Sequence, residues 1–230
     1  MPAIKLLIFD LDGTLIDSRL DLAHSVNAVL NMLDRKSLPV ETVVSFVGDG
    51  AEDLLRRSLQ TTGFGLEEAN ELLPQTLKRF LDYYLDHCLD YTQSYPHAIS
   101  ILEKFSGYKQ AILTNKPMAH TDKILEGLGI KDRFEVIVPG DGPIGKKPDP
   151  TGLGYILSSL MATPDEAVLI GDSLQDLKTA KAAGCPFIAF LSGLGNRKTL
   201  EAAGIEFAIQ EWNEFPNVFE KVLVKMESKA

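Results

Sequence analysis

The sequence predicts an α/β protein: a doubly wound parallel sheet interrupted, after its first strand, by an inserted helical domain. Three observations predict it. Short apolar runs recur along the chain between stretches of helical periodicity. A long segment after the first run carries helical patterns and no comparable run. Charged and glycine-containing turns stand at the carboxyl ends of the runs, which is where open α/β sheets bind ligands.

The first run, Lys5 to Asp10 (KLLIFD), is nearly continuous in apolar residues and stopped by a charge, as a strand buried on both faces requires. Gln110–Thr114, Phe134–Val138, Ala167–Ile170 and Pro186–Leu191 have the same character. Alternation of such runs with helices implies a parallel sheet covered on both sides. The stretch from Ser18 to Leu89 is too long for a crossover loop. Its periodicity predicts helices over Asp21–Leu33, over Val40–Gln60 with a break near Gly48 to Gly50, and over Leu66–Asp90 with Pro74 bending the last. Residues 18–90 therefore read as a helical cap, and 1–17 with 91–230 as the α/β core.

Composition narrows the partners. The 230 residues carry 45% apolar side chains, enough for a proper core, and a formal net charge of -9. Nucleic acid and anionic membrane both demand a basic face, so neither is expected. A phosphate-bearing ligand would need local cations to reverse the field of an acidic protein. Cys88 and Cys185 stand far apart without a C-x-x-C pair, which suggests neither a disulfide framework nor a zinc site and fits a reducing cytoplasm. Met1 to Phe9 is too short and too soon followed by Asp10 and Asp12 to read as a signal peptide or a span. Monomer and homodimer are equally compatible with these features.

Four strand ends carry chemistry. Asp10-Leu11-Asp12-Gly13-Thr14 sets two carboxylates at the end of the first run, although an ordinary Asp-Gly turn accounts for the segment equally well. Gly171-Asp172-Ser173-Leu174-Gln175-Asp176 adds two more at the start of a helix over Leu174–Ala183, where Asp172 or Ser173 could simply cap and Asp176 could complement the dipole. Thr114-Asn115 supplies a hydroxyl and an amide. Lys147 supplies a positive charge just before a helix beginning near Pro150, with Asp149 placed to cap it. Taken together, the acidic segments would form an oxygen-rich cluster that is costly unless a hard cation such as Mg²⁺ neutralises it.

In this order the segments resemble the four signature motifs of the haloacid dehalogenase superfamily of phosphotransferases. DLDGT is similar to the nucleophile motif, LTNK to the phosphate-binding threonine motif, GKKPDP to the lysine motif and GDSLQD to the metal motif. The placement of the helical insertion resembles the subclass of phosphoglycolate and sugar-phosphate phosphatases. Phe46-Val47-Gly48-Asp49-Gly50-Ala51 followed by Leu54-Leu55 resembles, more loosely, the cap loop of phosphoglycolate phosphatases. The resemblance implies a Rossmann-like core and Asp10 as the nucleophile that forms an aspartyl phosphate. It implies Asp12 as the acid that protonates the leaving oxygen and later takes a proton from water. Mg²⁺ would be held by Asp10, the backbone carbonyl of Asp12, and Asp172, with Asp176 behind them. Thr114, Asn115 and Lys147 would bind the phosphoryl group, and Gly48 and Ala51 would meet the rest of a small phosphorylated substrate.

Other readings fit less well. Gly140 to Lys146 has P-loop spacing, but Lys147 replaces the metal-binding hydroxyl, Pro143 removes a cradle N–H, and Pro148 and Pro150 disfavour an immediate helix. Gly193-Leu194-Gly195 lacks the third glycine of a dinucleotide fingerprint. Haloacid dehalogenases lack the second aspartate, which Asp12 supplies. Phosphomutases of the subclass carry a histidine where this chain has Leu22, and Lys36 has no context that marks it as the imine-forming lysine of a phosphonate hydrolase. A non-catalytic relative would be expected to lose Asp10, Asp12 or Lys147, and all are present. Within the cap, Arg56 and Arg19 are candidates to meet a substrate carboxylate, against the commoner case of solvated helix charges. The substrate expected first is 2-phosphoglycolate, followed by other small phosphomonoesters or pyrophosphate.

Overall fold

The structure, a computed structural model, describes residues 4–228, so residues 1–3 and 229–230 of the assigned core lie outside the described residues. The chain opens with β1 (Leu6–Phe9), turns through β2 (Ile16–Asp17), and enters four helices: α1 (Arg19–Met32), α2 (Val40–Val44), α3 (Ala51–Thr61) and α4 (Leu66–His87). It returns through β3 (Gln93–Ser94), α5 (Ala98–Lys104), β4 (Lys109–Leu113), α6 (Met118–Gly127), β5 (Val136–Val138) and α7 (Thr151–Ser159). The remainder is β6 (Ala167–Gly171), α8 (Leu174–Ala183), β7 (Phe187–Phe190), α9 (Arg197–Ala202), β8 (Phe207–Ile209) and α10 (Phe215–Ser228).

Six strands form one parallel sheet in the order β5-β4-β1-β6-β7-β8. The expected doubly wound sheet is present, and it gains a sixth strand, β8, that the sequence reading did not anticipate. Its three residues, FAI, at the sheet edge are too short to stand out as an apolar run. Side chains of each strand alternate between two cores. Leu7, Phe9, Ile112, Val168 and Ile170 enter one, and Leu6, Ile8, Ala111, Leu113 and Leu169 the other. Both faces are therefore apolar, which is why these strands read as unbroken runs rather than alternating ones. Complete burial of such residues contributes roughly 1.5–3 kcal/mol each.

The order has a functional consequence. From central β1 the chain moves to β4 and β5 on one side and then to β6, β7 and β8 on the other, so the switch point lies at the carboxyl ends of β1, β4 and β6. Asp10, Thr114 and Asp172 each follow the last residue of one of those strands. The two edges of the helical segment meet in the short antiparallel ribbon of β2 and β3, with Ile16 opposite Ser94. Asp21 of α1 pins that junction from inside the protein. Its buried carboxylate accepts hydrogen bonds from the Thr92 backbone N–H at 2.8 Å and the Thr92 hydroxyl at 2.7 Å. Trp212 ties the far end of the chain to the β1 loop by donating its indole N–H to the carbonyl of Thr14 at 3.0 Å.

Several boundaries moved. The break expected near Gly48 to Gly50 runs from the end of α2 at Val44 to the start of α3 at Ala51, so Gly48, Asp49 and Gly50 form a loop. Positive φ angles at Gly48 and Gly50 explain why glycine stands at both positions. Pro74 lies within α4, which continues to His87. Among the described residues, no helix is long and apolar enough to cross a membrane.

Candidate active site

The β1 strand delivers Asp10 to the bottom of a pocket at the switch point. Its backbone N–H donates to Ile170 on β6, extending the sheet pairing by one residue, and its Oδ1 accepts the next N–H, from Leu11, at 2.7 Å. The backbone is thus held by the sheet and the side chain by the turn that follows. Lys147 reaches it from the loop before α7, with Nζ 2.7 Å from Asp10 Oδ1 and 2.6 Å from Asp176 Oδ1. Lys147 is only 3% exposed and Asp176 is fully buried, so this ammonium neutralises charge where water cannot. Burial alone would push the Lys147 pKa down, but the two carboxylates outweigh it and hold it above its ordinary value.

The β6 strand delivers the third carboxylate. Asp172 Oδ2 accepts the backbone N–H groups of Leu194 at 2.7 Å and Gly195 at 2.8 Å, and Oδ1 accepts the Thr14 hydroxyl at 3.2 Å. Asp176, in the first turn of α8, accepts from both the N–H and the hydroxyl of Ser173 through Oδ2, closing a capping box. Asp176 therefore gives one oxygen to Ser173 in the capping box and the other to Lys147. Asp10, Asp172 and Asp176 lie close enough that one oxygen from each falls within 4.8 Å of the others. Burial, with Asp176 adding to it, pushes the Asp172 pKa up to about 7. Burial likewise drives Asp10 upward against the pull of Lys147, with Asp176 and Asp172 adding to the rise. Three buried carboxylates share one ammonium, and the residual negative charge on oxygen donors fits a hard divalent cation.

The glycines around Asp172 are part of its seat. A Cβ on Gly193 would collide with the Gly13 carbonyl and the Asp172 side chain. Gly193→Ala is expected to destabilise the protein by about 1–3 kcal/mol. Because the clash displaces Asp172 itself, phosphatase activity should fall at least about tenfold in the fraction that remains folded. Urea denaturation and initial rates on the same preparation check both effects.

The threonine segment divides its labour in a way the sequence did not reveal. Thr114 lines the pocket and its Oγ1 accepts the Lys116 N–H at 3.2 Å. Asn115, expected to bind phosphate, has its amide engaged elsewhere. Nδ2 donates to the carbonyls of Lys147 at 3.0 Å and Gly48 at 2.9 Å, and Oδ1 accepts the Lys147 N–H at 2.8 Å. The side chain is a clamp that fixes the lysine loop to the end of β4 and to the Gly48 loop. Both side-chain hydrogens of Asn115 are thereby spent on backbone carbonyls rather than offered to a phosphate.

Asp12 shares the pocket with Asp10, but its carboxylate is held by a different set of groups. Both its oxygens lie 2.8 Å from Lys116 Nζ, and Oδ1 accepts the Ser18 hydroxyl at 2.5 Å. Lys116 also donates to the Tyr84 hydroxyl of α4 at 2.7 Å. Sequence reasoning missed Lys116, Tyr84 and Ser18. Lys116 stood inside the quoted LTNK segment, directly after a strand end, whereas nothing in the helical periodicity marked Tyr84.

The pocket wall opposite the carboxylates comes from the helical segment. Leu22, Val47, Ala51, Leu54, Phe80 and Leu81 line it, together with the backbone of Gly48 and Gly50. Gly48 and Ala51 thus reach the pocket as expected. Arg19 and Arg56 do not line it. Arg19 pairs with Asp17 at 2.7 Å, and Arg56 binds Asp53 and, at 3.0 Å, Asn70. The expectation that either meets a substrate carboxylate is corrected by those pairings: each guanidinium is drawn to an acid on its own side of the segment. Lys146 likewise leaves the floor to Lys147 and binds the carbonyl of Asp49 at 2.9 Å.

A parallel sheet with an acid–lysine cluster at its switch point, roofed by apolar side chains, forms a pocket of the kind in which enzymes bind a small ligand. The chain belongs to the haloacid dehalogenase-like hydrolase family, whose model matches residues 7–190. A phosphoglycolate phosphatase of Colwellia psychrerythraea is 34% identical over 213 residues, covering 91% of this chain and 94% of that protein. One of Rhodospirillum rubrum is 35% identical over 221 residues, covering 92% of each. The crystal structure of a predicted phosphoglycolate phosphatase from Haemophilus somnus superposes with a TM-score of 0.86 at 26% identity, covering 94% of this chain and 98% of that one. The chain is accordingly a phosphatase of the α/β haloacid dehalogenase fold.

Proposed function

We propose that this phosphatase hydrolyses 2-phosphoglycolate through an aspartyl phosphate on Asp10. The observation that carries the mechanism is the unequal setting of two carboxylates in one pocket: Asp10 fixed against Lys147, Asp12 against Lys116 and Ser18. An Asp10 oxygen attacks phosphorus, the ester P–O bond breaks, and the proton of Asp12 goes to the leaving oxygen. Water then attacks the aspartyl phosphate, gives a proton to Asp12, and releases phosphate and free Asp10. Lys147 offsets the repulsion between the carboxylate nucleophile and the incoming dianion. Asp10, the Asp12 carbonyl and Asp172 would hold Mg²⁺, which supplies charge neutralisation to the phosphoryl oxygens when bound. Residues 1–17 and 91–230 act as the catalytic core and 18–90 as a cap whose apolar wall excludes water. The names of the relatives support 2-phosphoglycolate. Two free, buried cysteines are compatible with a reducing cytoplasm.

Phosphate release should be measured on 2-phosphoglycolate, sugar phosphates, pyrophosphate and nucleotides, with Mg²⁺ and with chelator. The expected result is metal-dependent turnover with 2-phosphoglycolate highest in kcat/KM. A sugar phosphate or pyrophosphate in first place would replace the substrate and keep the mechanism, whereas full activity in chelator would sink the metal. Stability supplies an independent readout. A carboxyl pKa raised from 3.8 to about 7 by folding costs stability as pH rises through that interval. Mg²⁺ should therefore raise the melting temperature more at pH 8, where Asp172 must ionise in its buried seat, than at pH 5.

A further inference from the structure

Lys116 is a buried cation that the proposed chemistry leaves without a task. It is 6% exposed and stands between two units of the fold: Asp12 on the β1 loop and Tyr84 on α4. Tyr84 is itself firmly placed. It is 2% exposed, with its ring stacked on Phe80 at 5.6 Å and on His120 of α6 at 5.2 Å. His120 in turn bonds the Leu81 carbonyl of α4 through Nε2 at 2.9 Å. The stack therefore docks α4 onto α6, and the Tyr84 hydroxyl is the tip by which that docking touches Lys116. Burial holds the Tyr84 pKa well above the ordinary phenol value, so the phenol stays neutral and accepts the ammonium hydrogen.

We propose that Lys116 is a positioning residue for proton transfer by Asp12, and that Tyr84 makes this positioning depend on the seating of α4 over the core. A carboxylate held at both oxygens by one ammonium and at one oxygen by Ser18 cannot rotate freely about χ2. Because the ammonium favours the ionised form, Asp12 carries its proton only on an oxygen that has left Lys116, while the contact to the other oxygen still aims it. The ammonium is kept in place by a hydroxyl from the helical segment that roofs the pocket. When α4 is seated, all three contacts exist together. When it moves away, Lys116 loses the hydroxyl that fixes its ammonium, and Asp12 is aimed less firmly by the partner it keeps. Leaving-group protonation is thereby matched to closure over the substrate, when bulk water is excluded. This inference rests on the reading of Asp12 as general acid.

The test compares ethyl phosphate, which leaves as an alkoxide and needs a proton, with acetyl phosphate of nearly equal size, which leaves as a carboxylate and needs none. The parameter is kcat/KM, which covers steps only up to departure of the leaving group. Lys116→Met should lower it roughly 10- to 100-fold on ethyl phosphate and less than about threefold on acetyl phosphate, within the range of general acid catalysis. Tyr84→Phe keeps the ring stack and removes the hydroxyl, and should show the same selectivity at a smaller loss of about 3- to 10-fold. Equal losses on both esters in both variants would overturn the proposal, as a structural role predicts them. So would a loss confined to KM for 2-phosphoglycolate, which would make Lys116 a direct ligand of the substrate carboxylate. Asp12→Asn run beside them separates the two levels. If Asp12→Asn shows no preference for acetyl phosphate, the general-acid reading fails; if it does and Lys116→Met does not, only the positioning role fails.

Discussion

Asp10→Asn is expected to lower kcat more than roughly 10³-fold on every phosphate ester the enzyme accepts, because the amide oxygen cannot act as the nucleophile that carries phosphate between substrate and water. The change is nearly isosteric, so the loss is not expected to come from unfolding. Folding raises the Asp10 pKa well above 3.8, with burial as the main cause, so ionised Asp10 weighs against the native state at neutral pH even with Lys147 beside it. A neutral amide removes that burden. In chelator at pH 7 the variant should therefore be at least as stable as the parent, with urea midpoints as the measure. With Mg²⁺ the order should reverse or narrow, because the parent then gains a metal-bound carboxylate. Acid-quenched wild-type enzyme should retain covalent phosphate from substrate, and the variant should retain none. Undiminished turnover by Asp10→Asn would remove the nucleophile assignment altogether.

The core was legible because burial on both faces leaves a simple trace. β1, β6 and β7 are runs of apolar or small residues, β4 becomes one after Lys109 and Gln110, and the residue after each of β1, β4 and β6 is polar because the chain there leaves the sheet for the pocket. Asp10, Thr114 and Asp172 could be named from that position together with motif order, and Lys147 from motif order alone. What stayed hidden were interactions with no local periodic signal. β8 is short and lies at an edge. The β2 and β3 ribbon is two residues deep on each side and depends on a contact across the whole helical segment. Tyr84 matters because α4 happens to dock its ring on His120, a relation between residues far apart in sequence. The use of the Asn115 side chain was hidden for a different reason. Its position after β4 was read correctly, but which of several polar neighbours claims an amide is decided by loop geometry that spacing does not encode.

Lys147→Met should combine the largest stability loss with a severe loss of activity. The side chain is replaced at similar length, so little packing is lost, and the effect is electrostatic. Asp10 and Asp176 remain buried, each having lost an ammonium partner within 2.7 Å. Removing one member of a buried ionic cluster typically costs about 3–5 kcal/mol, because the remaining charges keep their desolvation penalty. The pH dependence identifies that cause. Lysine pairing raises the Lys147 pKa above its ordinary value, so its contribution in the parent is fully present across the neutral and acidic range. In the variant Asp10, already raised by burial, loses the cation that pulled it down and shifts further upward, and the penalty exists only where it must ionise. The destabilisation measured by urea should therefore be greatest near pH 8 in chelator, shrink toward pH 5 as the acids take up protons, and shrink also when Mg²⁺ is added. Equal destabilisation at both pH values would mean that Lys147 acts through packing, and would leave the acidic cluster without the role assigned to it.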